Sequence, residues 1–173
     1  MAENDNIQET PAAASEQDQA NAPRFAVQRI YIKDASFEAP DSPESFRRPY
    51  SPQVNFSINS SNRHIENSLY EVILRLTTDV KHEDKTVFLV EVQQAGIFEV
   101  HGIDGERLEQ VLNITCPSVL FPYGRESIDG LVIKGGFPPL MLAPINFEVL
   151  YAQAKKNLAD KQAQEAASSG NTQ

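Results

Sequence analysis

The stretch from Thr86 to Val100, TVFLVEVQQAGIFEV, decides the fold. Its first half alternates strictly, so that Phe88, Val90 and Val92 point to one face and the residues between them point to the other. This two-residue period is typical of a β-strand. Apolar side chains occur on both faces, which indicates that the strand is either covered twice within one chain or meets another subunit. We favour a subunit contact, formed by the face of the strand that carries Val90, Val92 and Gln94.

The small pair Ala95-Gly96 interrupts this alternation before Ile97 and Phe98 resume it. Such a gap is typical of a β-bulge, or of a point where another part of the chain approaches the backbone closely. We therefore expect the strand to bend there.

Three earlier stretches also read as strands, namely Arg24–Glu38, Gln53–Asn59 and Leu69–Val80. The short charged turn KHEDK joins the last of them to the opening stretch, which predicts an antiparallel hairpin. The polar residues 60–67 predict a turn between the second and third strands.

Helical spacing of apolar residues replaces this alternation in the second half. It predicts a short helix around Leu112 and a longer one after Cys116, with Pro122 in its first turn and an end at Gly135. Asn146 is placed to cap a last helix. Four strands followed by helices, without alternation of the two, indicate an α+β fold.

Length and composition favour one soluble domain with polar tails. The chain has 173 residues and a net charge of -9, and so acidic a protein repels nucleic acid and anionic lipid. The start lacks a basic region followed by an apolar run, and no run of about 18 apolar residues occurs, so we expect a cytoplasmic protein without membrane insertion. We predict a disordered acidic tail over residues 1–23, a folded domain over 24–160 and a disordered tail over 161–173.

The sequence gives little support for a catalytic function. His64, His82 and His101 stand far apart, without the spacing of metal ligands. Cys116, the single cysteine, precedes Pro117 in an apolar neighbourhood that disfavours a thiolate. We predict no catalytic residue, no metal site and no cofactor.

Apolar side chains are unusually frequent in segments that should be loops. They occur in a proline-rich loop, near the start of the long helix and in the connector FPPLMLAP. Each of them could simply close the core, but together they indicate an aromatic-lined groove for extended apolar chains. The candidate groove residues are Tyr50, Val54, Phe56, Ile58, Tyr123, Phe137, Leu140 and Leu142.

The chain resembles the SecB family of cytoplasmic protein-export chaperones. The similar motifs are QRIYIKDASFEAP at Gln28, YEVILRLT at Tyr70, FLVEVQQAGIF at Phe88, CPSVLFPYGRE at Cys116 and FPPLMLAPINFEVLY at Phe137. The resemblance implies a four-stranded antiparallel sheet with two main helices packed against it, assembled as a homotetramer that is a dimer of dimers. It also implies a chaperone that holds unfolded precursor proteins and passes them to the export ATPase SecA.

The resemblance further implies a SecA contact at Asp34, Glu38, Leu89 and Glu91, which would receive the basic, zinc-bearing tail of that ATPase. The alternation of the strands agrees, since Asp34 and Glu38 share one strand face and Leu89 and Glu91 share another. In the long helix, glycines stand at positions where a helix prefers other residues, and each costs up to about 1 kcal/mol relative to alanine. These are Gly124 and Gly130.

The residues alone do not exclude other classes of protein. A small α+β enzyme such as a thioester hydrolase would need a carboxylate or histidine aimed into the groove. A purely structural oligomer would not need aromatic residues in loops. A general holdase unconnected with export would share the groove but not the SecA contact.

Overall fold

Four long strands precede the helices in the computed structural model, which describes residues 22–49 and 51–169, with side chains up to residue 162. The elements are β1 (Arg24–Glu38), a 3₁₀ turn (Glu44–Arg47), β2 (Gln53–Glu66), β3 (Leu69–His82), β4 (Lys85–His101), α1 (Gly105–Gln110), a π-helical segment (Val111–Thr115), α2 (Cys116–Lys134) and α3 (Phe147–Ser169). The α+β class, with a four-stranded antiparallel sheet, is confirmed.

The strands form one sheet in the order β1-β4-β3-β2, and every neighbouring pair is antiparallel. Glu83 and Asp84, with φ of 48° and 65°, form the two-residue turn of the predicted β3–β4 hairpin. The polar turn predicted over residues 60–67 is wrong, because β2 continues to Glu66. An edge strand pairs through its backbone and can carry polar side chains along its length, so polarity alone did not mark the end of β2.

One face of the sheet is covered by α2, which packs on β4 and β3. The core lies between them, where α2 contributes Leu120, Ile128 and Val132. On the sheet side the fully buried hydrophobic residues are Val72, Leu74, Leu76, Val80, Phe88, Val90, Val92 and Phe98. We call this the covered face, and the opposite face the open face.

The residues assigned to a subunit contact lie on the covered face. Val90 and Val92 are 0% exposed and Gln94 is 2% exposed within a single chain. The prediction that these side chains meet a second subunit is therefore corrected, because the covering element is the chain's own α2. Any effect of Val92 on assembly would have to pass through that helix. The open face of β4 carries the half-buried Leu89 and Glu91.

Gly96 marks a close approach and not a bulge in β4. A Cβ at this position would lie 2.7 Å from the ring of Phe98 and 3.0 Å from Leu120 Cδ2, so only glycine fits without a shift. In the pairing of β4 with β1 the register shifts lie in β1 instead, between Val27 and Arg29 and between Ile32 and Asp34. Of the two alternatives that the small pair left open, the structure shows the close approach.

The helical half is more continuous than predicted. α1, the π-helical segment and α2 follow one another without a break from Gly105 to Lys134, so Pro122 lies well inside a helix and not in its first turn. α3 is capped by the Asn146 side chain, whose Oδ1 accepts the backbone N–H of Val149 at 3.1 Å. α3 continues through residues 161–169, which the sequence assigned to a polar tail, while residues 1–21 and 170–173 of the predicted tails lie outside the described residues.

No helix in the described part of the chain is long and apolar enough to span a membrane.

A buried carboxylate ties strands together on the open face. Glu71 of β3 is 2% exposed and accepts hydrogen bonds from Lys33 Nζ at 2.8 Å, from Arg63 Nε at 2.5 Å and from the Tyr31 hydroxyl. Tyr31 lies opposite Ala95, whose small side chain leaves room for the phenol to cross β4. Three strands therefore contribute to one polar cluster.

Burial alone would raise the pKa of Glu71, but the hydrogen bonds from Lys33, Tyr31 and Arg63 outweigh it and lower the pKa to about 2. Burial and the hydrogen bond to Glu71 raise the pKa of Tyr31 to about 12. At neutral pH the cluster therefore holds an ionised Glu71 and a neutral Tyr31.

The two unusual glycines of α2 predict opposite effects on stability. A Cβ on Gly124 would lie 2.6 Å from Leu76 Cδ1, whereas the nearest atom to a Cβ on Gly130 is Glu126 Oε1 at 3.9 Å. Gly124→Ala should lower the free energy of unfolding by about 1–3 kcal/mol, because it overpacks the core. Gly130→Ala should raise it by about 0.5–1 kcal/mol through helix propensity. Urea denaturation at one protein concentration measures both, and equal effects of the two variants would contradict the packing.

The Glu71 cluster predicts a loss of stability in acid. Since the folded pKa is about 2 and an unfolded glutamate titrates near about 4.3, the unfolded chain takes up the proton first as the pH falls. This contribution, about 3 kcal/mol, is fully present above about pH 5 and is lost as the pH falls towards about 2. The difference in free energy of unfolding between wild type and Glu71→Gln should therefore shrink over that range. Glu66→Gln, which removes an exposed carboxylate of β2 outside the cluster, is the matched control.

Candidate functional site: an acidic face and two clefts

The four residues of the predicted SecA contact come together on the open face. In β1, the bulge between Ile32 and Asp34 turns Asp34 to this side of the sheet. Asp34 then pairs with Gln93, and Glu38 pairs with Leu89. We call the patch of Asp34, Glu38, Leu89 and Glu91 the acidic face.

Hydrogen bonds orient two carboxylates of the acidic face. Glu91 accepts a hydrogen bond from the Thr77 hydroxyl at 3.1 Å, and Arg75 Nε lies 3.8 Å from its other oxygen. Asp34 accepts a weak hydrogen bond from the Gln93 amide at 3.4 Å. Asp34 is exposed and Glu91 is half-buried, so the charge faces water around the apolar Leu89. Such a surface can attract a basic partner and hold it by an apolar contact.

Sequence reasoning missed Thr77 and Arg75, which position Glu91. The hairpin turn alone does not give this register, because the pairing of His82 with Lys85 would place Thr77 opposite Val90, and a register shift between Val80 and Lys81 moves the partner of Thr77 to Glu91.

The predicted groove residues do not form one groove. On β2, Ile58 lines a cleft of about 310 Å³ between this strand and α3. Its walls also include Ser60, Asn113 of the π-helical segment, and Phe147, Leu150 and Tyr151 of α3. We call this the β2–α3 cleft. Val54, 46% exposed, and the half-buried Phe56 lie on the same side of β2 as Ile58.

A second cleft, of about 450 Å³, lies between α2 and the connector of residues 136–146. Leu142 and Met141 form its connector wall, and Ile133 lies on its α2 wall. Asp129 Oδ1 accepts the backbone N–H groups of Leu140 at 2.9 Å and of Met141 at 3.3 Å, which fixes the connector to α2. We call this the α2–connector cleft.

The other predicted groove residues occupy different places. Phe137 is 5% exposed, and its ring centroid lies 4.8 Å from that of Phe88 and 4.9 Å from that of Phe46. The assignment of Phe137 to a groove wall is therefore corrected, because this ring closes the core. Tyr123 of α2 is 52% exposed, and Tyr50 lies outside the described residues.

The groups that could carry chemistry are held in structural roles. Burial raises the pKa of the Cys116 thiol to about 12, so it stays protonated at neutral pH and is a poor nucleophile. His64 and His82 each contact a backbone carbonyl, those of Asn67 and Ser51. Among the described residues, no three His, Cys, Asp or Glu side chains are grouped to hold a metal ion.

Known proteins share both the sequence and the fold of this chain. The family described as preprotein translocase subunit SecB matches residues 18–158. The protein-export protein SecB of Marinobacter nauticus is 50% identical over 158 residues, 91% of this chain and 95% of that protein. The protein of the same name from Hahella chejuensis is 50% identical over 145 residues, 84% of this chain and 89% of that protein.

Among solved structures, a SecB-like chaperone of Mycobacterium tuberculosis, in complex with a peptide from an antitoxin, has the same fold with a TM-score of 0.60. It is 19% identical, and the match covers 70% of this chain and 91% of that one. The family match spans all four strands and α2, and the relatives are half identical over most of their length. This chain belongs to the SecB family of protein-export proteins.

Proposed function

We propose that this protein is a chaperone that binds unfolded precursor proteins, keeps them competent for export and hands them to the SecA ATPase. One observation carries the proposal: the clefts and the acidic face lie on different faces of the sheet. A client on the helical side would then leave the open face free for a partner. Membership of a family of protein-export proteins supports the same function. We further propose that the protein works in the cytoplasm.

The clefts support client binding by weak, repeated contacts. Both present apolar side chains to solvent, although Arg125, Glu126 and Asp129 also line the α2–connector cleft. A protein of the same fold has been solved with a peptide bound. Burying roughly 1,000 Å² of an unfolded chain contributes about 25 kcal/mol before its ordering is counted, and the ordering offsets most of this. Affinity then depends on several sites acting together.

We propose that a homotetramer, a dimer of dimers, links several copies of the clefts. Apolar side chains are exposed on the edge strand β1, apart from the acidic face and from both clefts. They are Phe25, Val27 and Ile32. Exposed apolar groups that cluster in this way are typical of subunit contacts. They replace Val90, Val92 and Gln94 as candidates for direct contact between subunits.

The first experiment tests the clefts. Leu150→Ser and Leu142→Ser each remove an apolar side chain from one cleft wall, and the double variant should raise the apparent Kd for an unfolded client about tenfold. Suppression of aggregation of a denatured test protein measures the effect. Val149→Ser is the matched control, because Val149 is 49% exposed next to Leu150 but does not line the cleft. Light scattering should return the same mass for every variant.

If the double variant suppresses aggregation as well as wild type, clients bind elsewhere.

The second experiment separates export from general holding. Glu91→Lys or Asp34→Lys should weaken binding of the basic SecA tail at least about tenfold by calorimetry, because each variant places a like charge before that tail. Client holding should be unchanged. Added salt should weaken the wild-type interaction, since exposed charges are screened beyond roughly 8 Å at physiological ionic strength. Glu66→Lys makes the same change of net charge away from the acidic face and should bind the tail normally.

Normal tail binding by Glu91→Lys and Asp34→Lys, without salt dependence in wild type, would favour a holdase unconnected with export.

A further inference from the structure

Among the side chains of α3 described up to residue 162, the one buried in the core lies at the beginning of the helix. Phe147 is 5% exposed, and its ring meets that of Phe121 edge-on at 6.1 Å. From residue 152 to residue 162 every described side chain of α3 is exposed, including Leu158 at 58%. The outer part of the helix therefore gains little from apolar packing within the chain.

A charged contact centred on Lys155 joins this outer part to α1. Lys155 Nζ lies 3.4 Å from Glu106 Oε1 and 3.5 Å from Glu109 Oε2, and it lies 5.1 Å from the centroid of the Tyr151 ring. Glu106 and Glu109 belong to α1, so the contact joins two helices that are far apart in sequence. We call Lys155, Glu106 and Glu109 the Lys155 latch. Because all three side chains are exposed, the latch contributes little free energy and is weakened by salt.

The cleft beside the latch contains a hydroxyl without a partner. Ser60 Oγ is shielded from solvent and has no hydrogen-bond partner among the described residues. The Tyr151 hydroxyl is also shielded, and it lies next to Glu109 and Lys155, which interact with it. Both residues line the β2–α3 cleft. A shielded hydroxyl without a partner destabilises the arrangement that shields it, so Ser60 disfavours the closed position of α3.

The volume of the cleft also indicates that α3 moves when an unfolded chain binds. At about 310 Å³ it lies at the lower end of the range, roughly 300–1,000 Å³, of pockets that enclose small ligands. A segment of unfolded polypeptide is larger and needs a groove that is open at both ends. The wall that can move is α3, since β2 is fixed in the sheet.

We propose that α3 beyond Phe147 is a movable wall of the β2–α3 cleft, and that the Lys155 latch sets how often it swings away. Opening widens the cleft and exposes Ile58 and the Ser60 and Tyr151 hydroxyls, which can then bind the backbone of an extended chain. The role of the opening in client binding rests on the proposed function, whereas the opening itself does not.

Hydrogen exchange of the full-length protein tests the latch. Lys155→Glu places three like charges together, and amide exchange over residues 152–162 should become about three- to tenfold faster. Lys156→Glu is the matched control, because Lys156 is the next residue of α3 and forms no ion pair among the described residues. Its exchange should stay within about twofold of wild type. The charge-exchanged variant Glu106→Lys/Glu109→Lys/Lys155→Glu should restore slow exchange.

A thiol at Ser60 measures the opening from inside the cleft. Ser60→Cys should react with a thiol reagent faster in the Lys155→Glu background than in the Lys156→Glu background. Cys116 is fully buried and adds only a slow background. Ser57→Cys, which is exposed on the open side of β2, should react at the same rate in both backgrounds.

Equal exchange and equal thiol reactivity in the Lys155→Glu and Lys156→Glu backgrounds would overturn the proposal. Faster exchange together with unchanged client affinity would support the latch and contradict the assignment of clients to this cleft. The two proposals therefore fail on different measurements.

Discussion

The packing of α2 on β3 and β4 determines what every other surface can do. It buries Leu76, Val92 and Gln94 beneath the helix at a distance so short that Gly124 is needed at the crossing. Once that face is taken, the opposite face of the sheet is the one left open, and the carboxylates of Asp34 and Glu91 lie there. α3 and the connector lie at the margins of the helical layer, where each contributes a ring to the core, Phe147 and Phe137, and each also borders a cleft. Separation of an apolar side from an acidic side follows from this one contact.

Much of the fold could be predicted from local pattern. Alternation predicted β3 and β4, and the KHEDK turn predicted the hairpin between them, because both signals depend on neighbours in sequence. What covers Val92 could not be predicted in the same way. A two-residue period states that a strand has two faces, but it does not state whether a helix of the same chain or a second subunit lies on each. Glu71 was missed for a related reason, since a lone carboxylate in a strand looks solvated until Tyr31, Lys33 and Arg63 converge on it from distant segments.

The acidic face and the client groove could be predicted from the sequence to different extents. The acidic face was implied by family resemblance, and the structure places its four members on adjacent strands, with Glu38 opposite Leu89. The groove was inferred from apolar residues in loops, and that argument does not specify which loop packs against which element. Phe137 closes the core, while Ile58 and Leu142 line separate clefts, because Asp129 holds the connector against α2.

The bulge at Lys33 inverts the alternation of side chains along β1. Between the two bulges Ile30 and Ile32 point to the covered face, and beyond Lys33 the alternation is inverted, so that Phe37 still meets the core while Asp34 and Glu38 face water. In an uninterrupted ladder Lys33 would take the place opposite Gln93, and Asp34 would be driven towards Val92 in the core, where an unpaired carboxylate is strongly disfavoured. The residue that absorbs the shift is itself fixed, since its ammonium group is bound to Glu71. The Lys33–Glu71 ion pair therefore fixes the point in β1 beyond which the acidic side chains face water while Phe37 still faces the core.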